Sequence, residues 1–413
     1  MNLQLHKPKE QNTGEIHLPG SKSISNRILI IKALSGLDFS IQNLSDSDDT
    51  KHLKEALEKY TSTKVIDVGH AGTDMRFLTA YLALKKGDYE LTGSERLQQR
   101  PIKDLVDTLR ILGADIAYNN KEGFPPLQIN GKQLLGGSVE ISGKVSSQFI
   151  TALLLIAPYL TEGLDLTIKD ELVSKPYVHM TIELMKEFGA SVTWNDNKVV
   201  VEPIPYNYHK KEFIVESDWS AVSYYYSIVA LSKIDTQLTI KSLFENSLQA
   251  DSACTIIYKN FGVETHFNDN EITISKISEV STSELKLDFI QCPDIAQTVV
   301  CTCIGLNVPF HFTGLQTLKV KETDRIVALQ NELKKFGYAI EITDNSMQWQ
   351  KVKSEPTDCL PVATYNDHRM AMSFAPLCLL FENIIIENAE VVSKSYPLFW
   401  EHLKSIGISQ TQL

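Results

Sequence analysis

What most limits the fold of this chain is internal repetition. Five times along the 413 residues a helix-like segment closes on glycine and gives way to a β-rich run: LRILG at Gly113, LMKEFG at Gly189, YKNFG at Gly262, LKKFG at Gly337 and HLKSIG at Gly407. The steps between these glycines are 76, 73, 75 and 70 residues. Glycine suits the position just past a helix C-terminus, where the backbone turns left-handed. A period of this length means that each unit is a module whose apolar face its neighbours must cover.

A second series interleaves with the first. Short polar motifs open markedly apolar helices at Ser21-Lys22-Ser23, Gly72-Thr73-Asp74, Ser146-Ser147-Gln148, Ser217-Asp218-Trp219, Asp294-Ile295-Ala296 and Asp367-His368-Arg369. The first step is 51 residues and the others run from 71 to 77, so the opening unit is shortened; it also lacks a closing glycine near Tyr60. Segments such as FITALLLIAPYL and VSYYYSIVAL are apolar nearly all round, which requires cover on every side. The prediction is an α/β protein of two lobes, three units to a lobe, with parallel buried helices. Each unit holds a buried helix, a strand, an amphipathic helix and further strands. A closed threefold arrangement satisfies this repeat without a solenoid.

At 43% hydrophobic residues a chain of this length buries a large core and favours two domains over one. A formal charge of −11 argues against nucleic acid as a partner. The N-terminus MNLQLHKPKEQNTGE lacks the apolar core of a signal peptide, and the longest apolar run, Phe149 to Leu160, is too short to span a membrane. Cys254, Cys292, Cys301, Cys303, Cys359 and Cys378 sit mostly in apolar runs, as reduced core thiols of a cytoplasmic protein would.

In so acidic a chain any anion site must be local, and the polar motifs supply the cations. These are Lys22 and Arg27 in GSKSISNR, Arg76 in AGTDMR, Arg100 in QQRP, Lys321 and Arg325 in KETDR, Arg369 in NDHR and Lys394 in SKSYP. Parallel helices aimed at one place expose unpaired N–H groups and partial positive charge. Each helix end contributes about 0.3–1 kcal/mol, while a cation about 4 Å from a phosphate is worth about 4 kcal/mol at an effective dielectric of 20. Side-chain cations therefore dominate, and arginine suits bidentate capture of phosphate or carboxylate. The pattern points to an enzyme acting on two small anionic substrates.

Acid–base candidates share the same motifs: Asp294 after Cys292-Pro293, Glu322 between Lys321 and Arg325, and His368, which titrates near neutrality by default. Taken singly, Asp294 also reads as an N-cap, Glu322 as half of a helix-face salt bridge and His368 as a core histidine. Adjacent cations lower a carboxylate pKa, whereas burial and substrate anions raise it. The near miss to a phosphate-binding loop, Gly137 to Gly143-Lys144-Val145, has the wrong spacing and ends on valine. No G-x-G-x-x-G after a strand, no G-x-S-x-G and no H-E-x-x-H is present, so neither cofactor nor metal is expected.

Together the motifs resemble the 5-enolpyruvylshikimate-3-phosphate synthase family, the 3-phosphoshikimate 1-carboxyvinyltransferases. LPGSKSISNR, AGTDMRFL, RPIKDLVDTLRILGA, SSQFITALLL, SKPYVHMT, SDWSAVSYY, KVKETDRI, TYNDHRMAM and KSYPLFW follow the family's order from Leu18 to Trp400. The resemblance implies a two-lobed inside-out α/β barrel of six βαβαββ repeats, three per lobe. Residues 20–216 would form the N-terminal lobe and residues 1–19 with 217–413 the C-terminal lobe. The crossovers would fall near Pro19-Gly20 and near Glu216, with the active site in the cleft. It also implies transfer of the enolpyruvyl group of phosphoenolpyruvate to the 5-hydroxyl of shikimate 3-phosphate, releasing phosphate, in chorismate and aromatic amino acid biosynthesis.

By the same resemblance Lys22, Ser23, Arg27, Ser146, Ser147, Gln148, Ser174, Tyr177, Asp294 and Lys321 would hold shikimate 3-phosphate. Lys22, Gly72, Arg100, Gln148, Arg325, Arg369 and Lys394 would hold phosphoenolpyruvate. Asp294 with Lys321 is expected on the base side, and Glu322, assisted by Lys22 or His368, as proton donor. The expected partners are the two small-molecule substrates, with no nucleic acid and no membrane, and the expected state is a cytoplasmic monomer.

Some positions depart from the family pattern. His70 stands where asparagine is common, Asp74 replaces a small residue, Phe77 stands where proline is frequent, and Thr317 replaces asparagine before KETDR. A wall of altered shape is therefore expected near Gly72, although Gly72 itself favours sensitivity to glyphosate, which resembles phosphoenolpyruvate. One alternative is the sister family that transfers enolpyruvyl to UDP-N-acetylglucosamine. It uses a first-lobe cysteine and an asparagine after the first lysine, whereas residues 1–253 contain no cysteine and Ser23 follows Lys22. The other is a non-catalytic anion-binding protein of the same fold, which could dispense with Asp294 and Glu322.

Overall fold

The computed structural model describes residues 1–8, 13–144, 146–172, 174–353, 361–382 and 384–413. The chain forms two compact units, Ser21–Val215 and a second made of Met1–Gly20 with Glu216–Leu413.

One pattern recurs through both. Strand Val65–Asp67, helix Gly72–Leu84, strand Gly87–Thr92, helix Lys103–Ile111 and strands Asp115–Tyr118 and Leu127–Gly131 form one repeat. Its first two strands pair in parallel across the buried helix, and the last two add antiparallel. The same order builds the sheets beginning at Gly137–Ser142 and at Leu285–Asp288. In the repeat opened by Pro361–Val362 the last position is filled from the other end of the chain. Leu3–His6 lies antiparallel between Ile384–Ile386 and Ser409–Gln412.

The two remaining repeats exchange their first strands. Thr13–Ile16 runs parallel to Gln237–Lys241, and Glu212–Ile214 runs parallel to Ser40–Gln42. The chain passes between the units beside this exchange, where Gly20 pairs with Ser217. The shortened first repeat ends after helix Asp48–Lys59, whose C-cap Tyr60 stays right-handed. By contrast Gly113, Gly189, Gly262, Gly337 and Gly407 are all left-handed, with φ between 73° and 102°, as the closing-glycine pattern requires.

The helices heading the polar motifs are the buried ones. Gly72–Leu84 exposes almost nothing, and Trp219–Leu231 buries Trp219, Tyr224, Tyr225 and Tyr226 completely. The outer helix Lys103–Ile111 instead buries one stripe, Leu105, Val106, Thr108 and Leu109, its aliphatic side chains each contributing about 1.5–3 kcal/mol.

Hydroxyls set how the buried helices meet. Ser223 Oγ lies 3.1 Å from Thr298 Oγ1, Thr298 lies 3.2 Å from Ser373 Oγ, and Thr302 Oγ1 donates to Ser227 Oγ at 2.8 Å. Each pair is 75 residues apart, which is the repeat period. Two rungs one turn apart, 223 to 298 and 227 to 302, form only between parallel helices. Small hydroxyl side chains also allow close approach while satisfying one another's polar atoms. Helices Trp219–Leu231, Ala296–Gly305 and His368–Phe374 thus present their N-termini at one end of their unit. Among the described residues no helix is long and apolar enough to cross a membrane.

Candidate active site

In the unit Ser21–Val215, helix starts gather polar groups at one level. Gln148 Nε2 donates to Thr73 Oγ1 at 2.9 Å, joining the second residues of two parallel helices. Lys22, the first residue of its helix, pairs with Asp49 at 3.1 Å and keeps 22% of its side chain exposed. Ser146 caps the helix Ser147–Ile156, accepting from the Gln148 amide at 3.3 Å. Ser174 takes a left-handed conformation at φ 59° to open Lys175–Glu187, and its carbonyl accepts from the Tyr177 amide at 3.1 Å. Arg100 lies against Gly72 so closely that a Cβ there would fall on its guanidinium.

Two cations of this unit turn inward. Arg27 is 3% exposed and donates to Thr181 Oγ1 (2.8 Å), Ser23 O (2.7 Å), Tyr177 O (3.2 Å) and Thr151 Oγ1 (3.4 Å). Burial pulls its pKa down to about 10. Arg76 ties Gly72 O (3.0 Å) to Pro101 O (3.1 Å) and so holds the Arg100 loop beside Gly72. Burial, and then the charge of Arg100, lower its pKa well below the usual arginine value.

The substituted positions near Gly72 behave differently from one another. Asp74 points into the interface between helices, where Asn26 Nδ2 donates to it at 2.9 Å and Thr50 Oγ1 in turn donates to Asn26 at 2.7 Å. It is fully buried, and burial with the neighbouring Asp49 charge raises its pKa well above the carboxylate range. Phe77 is buried with its ring under Arg27, and His70 Nδ1 meets Ser94 Oγ at 2.8 Å.

The second unit holds an ion cluster. Asp294 sits on the 3₁₀ turn Pro293–Ile295 that leads into Ala296–Gly305, and it makes no side-chain cap. Its carboxylate meets Arg369 Nη2 at 3.1 Å, Lys321 Nζ at 3.4 Å and Arg325 Nη1 at 3.4 Å. Arg325 also meets Glu322 at 2.7 Å and Asp367 at 2.7 Å, and Lys394 meets Glu322 at 2.7 Å. Asp367 caps its own helix through the Arg369 amide at 2.9 Å. His368 is 2% exposed, with Nδ1 3.8 Å from Asp367.

Burial alone would push both acids of this cluster up. For Asp294 the charges of Arg369, Lys321 and Arg325 prevail and hold the carboxyl below its usual range. For Glu322, Arg325 and Lys394 do the same. Both are therefore carboxylates before substrate arrives. Four cations, Lys321, Arg325, Arg369 and Lys394, are thus gathered around Asp294, Glu322 and Asp367.

Of the simpler readings, the N-cap one fails for Asp294, Glu322 pairs with Arg325 from the bend before helix Arg325–Lys335 rather than from a helix face, and His368 is a buried residue. The near-miss phosphate loop is a strand, Gly137–Ser142, with Lys144 on the surface paired to Asp170 at 3.1 Å; Val145 lies outside the described residues. Cys254, Cys292, Cys301, Cys303 and Cys378 are buried free thiols, and Cys359 lies outside the described residues. Sequence reasoning missed Asp49, Ser220 and Asp251. The only signal for them was an acid or serine at a helix start, which any N-cap would explain.

Compared with known proteins, residues 6–61 and 58–403 match the model of the family described as EPSP synthase (3-phosphoshikimate 1-carboxyvinyltransferase). A 3-phosphoshikimate 1-carboxyvinyltransferase of Bacteroides fragilis (strain YCH46) is 49% identical over 394 residues, 95% of each chain. One of Vibrio atlanticus (strain LGP32) is 35% identical over 426 residues, 97% of this chain and 98% of that one. The solved EPSP synthase of Acinetobacter baumannii superposes with a TM-score of 0.78 at 21% identity, covering 100% of both chains. That likeness establishes the fold, a two-lobed α/β architecture.

Proposed function

The chain belongs to the EPSP synthase family of 3-phosphoshikimate 1-carboxyvinyltransferases, and we propose that its two polar clusters together bind the two anions of the family's reaction and move its protons. The reaction moves the enolpyruvyl group of phosphoenolpyruvate to the 5-hydroxyl of shikimate 3-phosphate and releases phosphate. The observation that carries this reading is the set of ion pairs joining Asp294 and Glu322 to Lys321, Arg325, Arg369 and Lys394. A UDP-N-acetylglucosamine acceptor is not favoured.

Shikimate 3-phosphate is assigned to Lys22, Ser23, Ser146, Ser147, Gln148, Ser174, Tyr177, Asp294 and Lys321. Arg27 serves the same substrate by holding the Ser23 and Tyr177 carbonyls in place. Phosphoenolpyruvate is assigned to Lys22, Gly72, Arg100, Gln148, Arg325, Arg369 and Lys394.

The chemistry has two steps. In the addition, the 5-hydroxyl oxygen bonds to C2 of the enolpyruvyl group, its proton leaves toward Asp294, and a proton reaches the methylene carbon. In the elimination, the resulting methyl gives up a proton and the C–O bond to phosphate breaks. Asp294, ionised beside Lys321, suits the base. Glu322 becomes the acid once substrate anions share Arg325 and Lys394, because that weakens the charges keeping it ionised. Lys22 or His368 assists, and the coupled groups titrate as a set. A cytoplasmic monomer is the assigned state. Buried thiols, pushed up by burial at Cys301 and Cys378, suit a reducing compartment.

The test is phosphate release with phosphoenolpyruvate plus shikimate 3-phosphate, run beside the same assay with UDP-N-acetylglucosamine. Release with the first acceptor only is expected. Absence of release with shikimate 3-phosphate would overturn the assignment.

A further inference from the structure

Beneath Arg369 lies a carboxyl that the reaction just described does not use. Asp251, on the 3₁₀ turn Ala250–Ala253, is 5% exposed. Its Oδ2 accepts a 2.5 Å hydrogen bond from Ser220 Oγ. Ser220 Oγ accepts from Arg369 Nη2 at 3.3 Å, and the same Nη2 meets Asp294 Oδ2 at 3.1 Å. The chain Asp251, Ser220, Arg369, Asp294 is therefore continuous. A serine hydroxyl has one proton to give. Committed to Asp251, it leaves its lone pairs facing Arg369, so Asp251 decides which way the hydroxyl points.

The second oxygen, Asp251 Oδ1, is buried without a hydrogen-bond partner among the described residues. A buried carboxylate is costly to ionise where one oxygen meets no protein donor, and a neutral acid much less so. The charged and titratable groups bearing on it come from every element around it. They are Asp294 before Ala296–Gly305, Arg369 of His368–Phe374, Asp218 capping Trp219–Leu231, and the thiols of Cys254 and Cys292. Burial and the Asp294 charge push the Asp251 carboxyl up to about 7, against Arg369 and the Ser220 hydrogen bond.

We propose that Asp251 is a positioning residue for Arg369: through Ser220 it fixes the guanidinium for the phosphoenolpyruvate anion, and its own protonation sets how much positive charge remains for the substrate. Neutral, it leaves Asp294 as the carboxylate facing Arg369 Nη2. Ionised, it adds a second negative charge one hydroxyl away, and the substrate anion meets a weaker cation. The inference rests on the assignment of Arg369 to phosphoenolpyruvate.

The experiment compares the KM for phosphoenolpyruvate of Asp251→Asn and the natural enzyme between pH 6 and pH 8.5, with saturating shikimate 3-phosphate. The natural enzyme's KM should rise relative to the variant's by roughly fivefold across that window as one unit charge appears beside Arg369, with kcat changing far less. A KM ratio independent of pH overturns the proposal, since loss of a merely structural carboxyl would give that result. Ser220→Ala offers an independent reading: it should raise KM at every pH and shrink the pH-dependent part, and an unaltered KM removes the relay. Arg369→Lys separates the two levels. If its KM for phosphoenolpyruvate is unaltered, the substrate assignment fails; if KM rises while Asp251→Asn follows the natural profile, only the present proposal fails.

Discussion

The two units house buried arginine in opposite ways. In Ser21–Val215, Arg27 and Arg76 are held by carbonyl and hydroxyl oxygens, and among the described residues neither has a carboxylate within ion-pair distance. Burial lowers both. In the other unit carboxylates surround the arginines: the buried Arg325 meets Asp294, Glu322 and Asp367, the partly buried Arg369 meets Asp294 with Asp251 one hydroxyl away, and despite burial those charges raise both. Neutral partners anchor the guanidinium, and Arg27 and Arg76 brace the segments around them. Carboxylate partners put ionisable oxygens beside the cation, so one cluster can both meet an anion and move a proton. What each arginine does follows from who its neighbours are, not from the arginine.

The largest expected effect tests the proton side. Asp294→Ala should lower phosphate release by about 10³-fold or more while circular dichroism stays that of the folded protein; near-normal turnover would take Asp294 off the catalytic roster. Lys22→Ala should be as severe, because it leaves the buried Asp49 carboxylate without its 3.1 Å partner where an anion must bind.

The arginines themselves give a sharper contrast. Arg325→Met should cost about 3–5 kcal/mol at pH 8, since it strands buried carboxylates, and Arg27→Met about 2–4 kcal/mol, since it strands neutral acceptors. Their pH dependence should differ in kind. Against burial, Arg325 helps to hold Asp294 and Glu322 below their unfolded values of about 4, so what it contributes is fully present above that pH and fades as the acids protonate, and the loss shrinks toward acid. The loss at Arg27 involves no titrating partner and should be the same at pH 3.5 and pH 8. Urea unfolding at both pH values reads this directly, and parallel behaviour of the two variants would erase the comparison.

Smaller effects probe the region of Gly72. Gly72→Ala would place a methyl on the Arg100 guanidinium and should raise the KM for phosphoenolpyruvate roughly tenfold, about 1.4 kcal/mol of displaced cation, and weaken glyphosate inhibition. Least of all, Asp74→Asn should leave kcat within about twofold and affect stability with a defined sign. Because the folded Asp74 pKa is raised, its burial costs nothing below the unfolded value of about 4 and an increasing amount above it. The variant should therefore melt a few degrees higher at pH 8 and no higher at pH 4, by calorimetry.

The repeat was legible in the sequence because its punctuation is local. A left-handed glycine after a helix and an apolar run after a polar motif are written within a few residues, and the φ values at Gly113 through Gly407 match them. The strand exchange was not legible. Thr13–Ile16 pairs with Gln237–Lys241 rather than with Ser40–Gln42 of its own repeat, and nothing in a strand of three or four residues names its neighbour. The same limit applies to the cations. Lys321, Arg325 and Glu322 declare one another by adjacency, whereas the partners that turn Arg27 inward, Thr151 and Thr181, lie 124 and 154 residues away. Asp74 looked like part of a substrate wall; its side chain turns to Asn26 instead, since a carboxyl at a helix interface goes wherever a donor waits.

The placing of Leu3–His6 and Thr13–Ile16 bears on how the chain is born. These strands leave the ribosome well before their partners, Gln237–Lys241, Ile384–Ile386 and Ser409–Gln412. Residues 21–215 can condense while synthesis continues, but two short edges must wait, unpaired, for most of translation. An open edge that waits is one that a second nascent chain can zip onto.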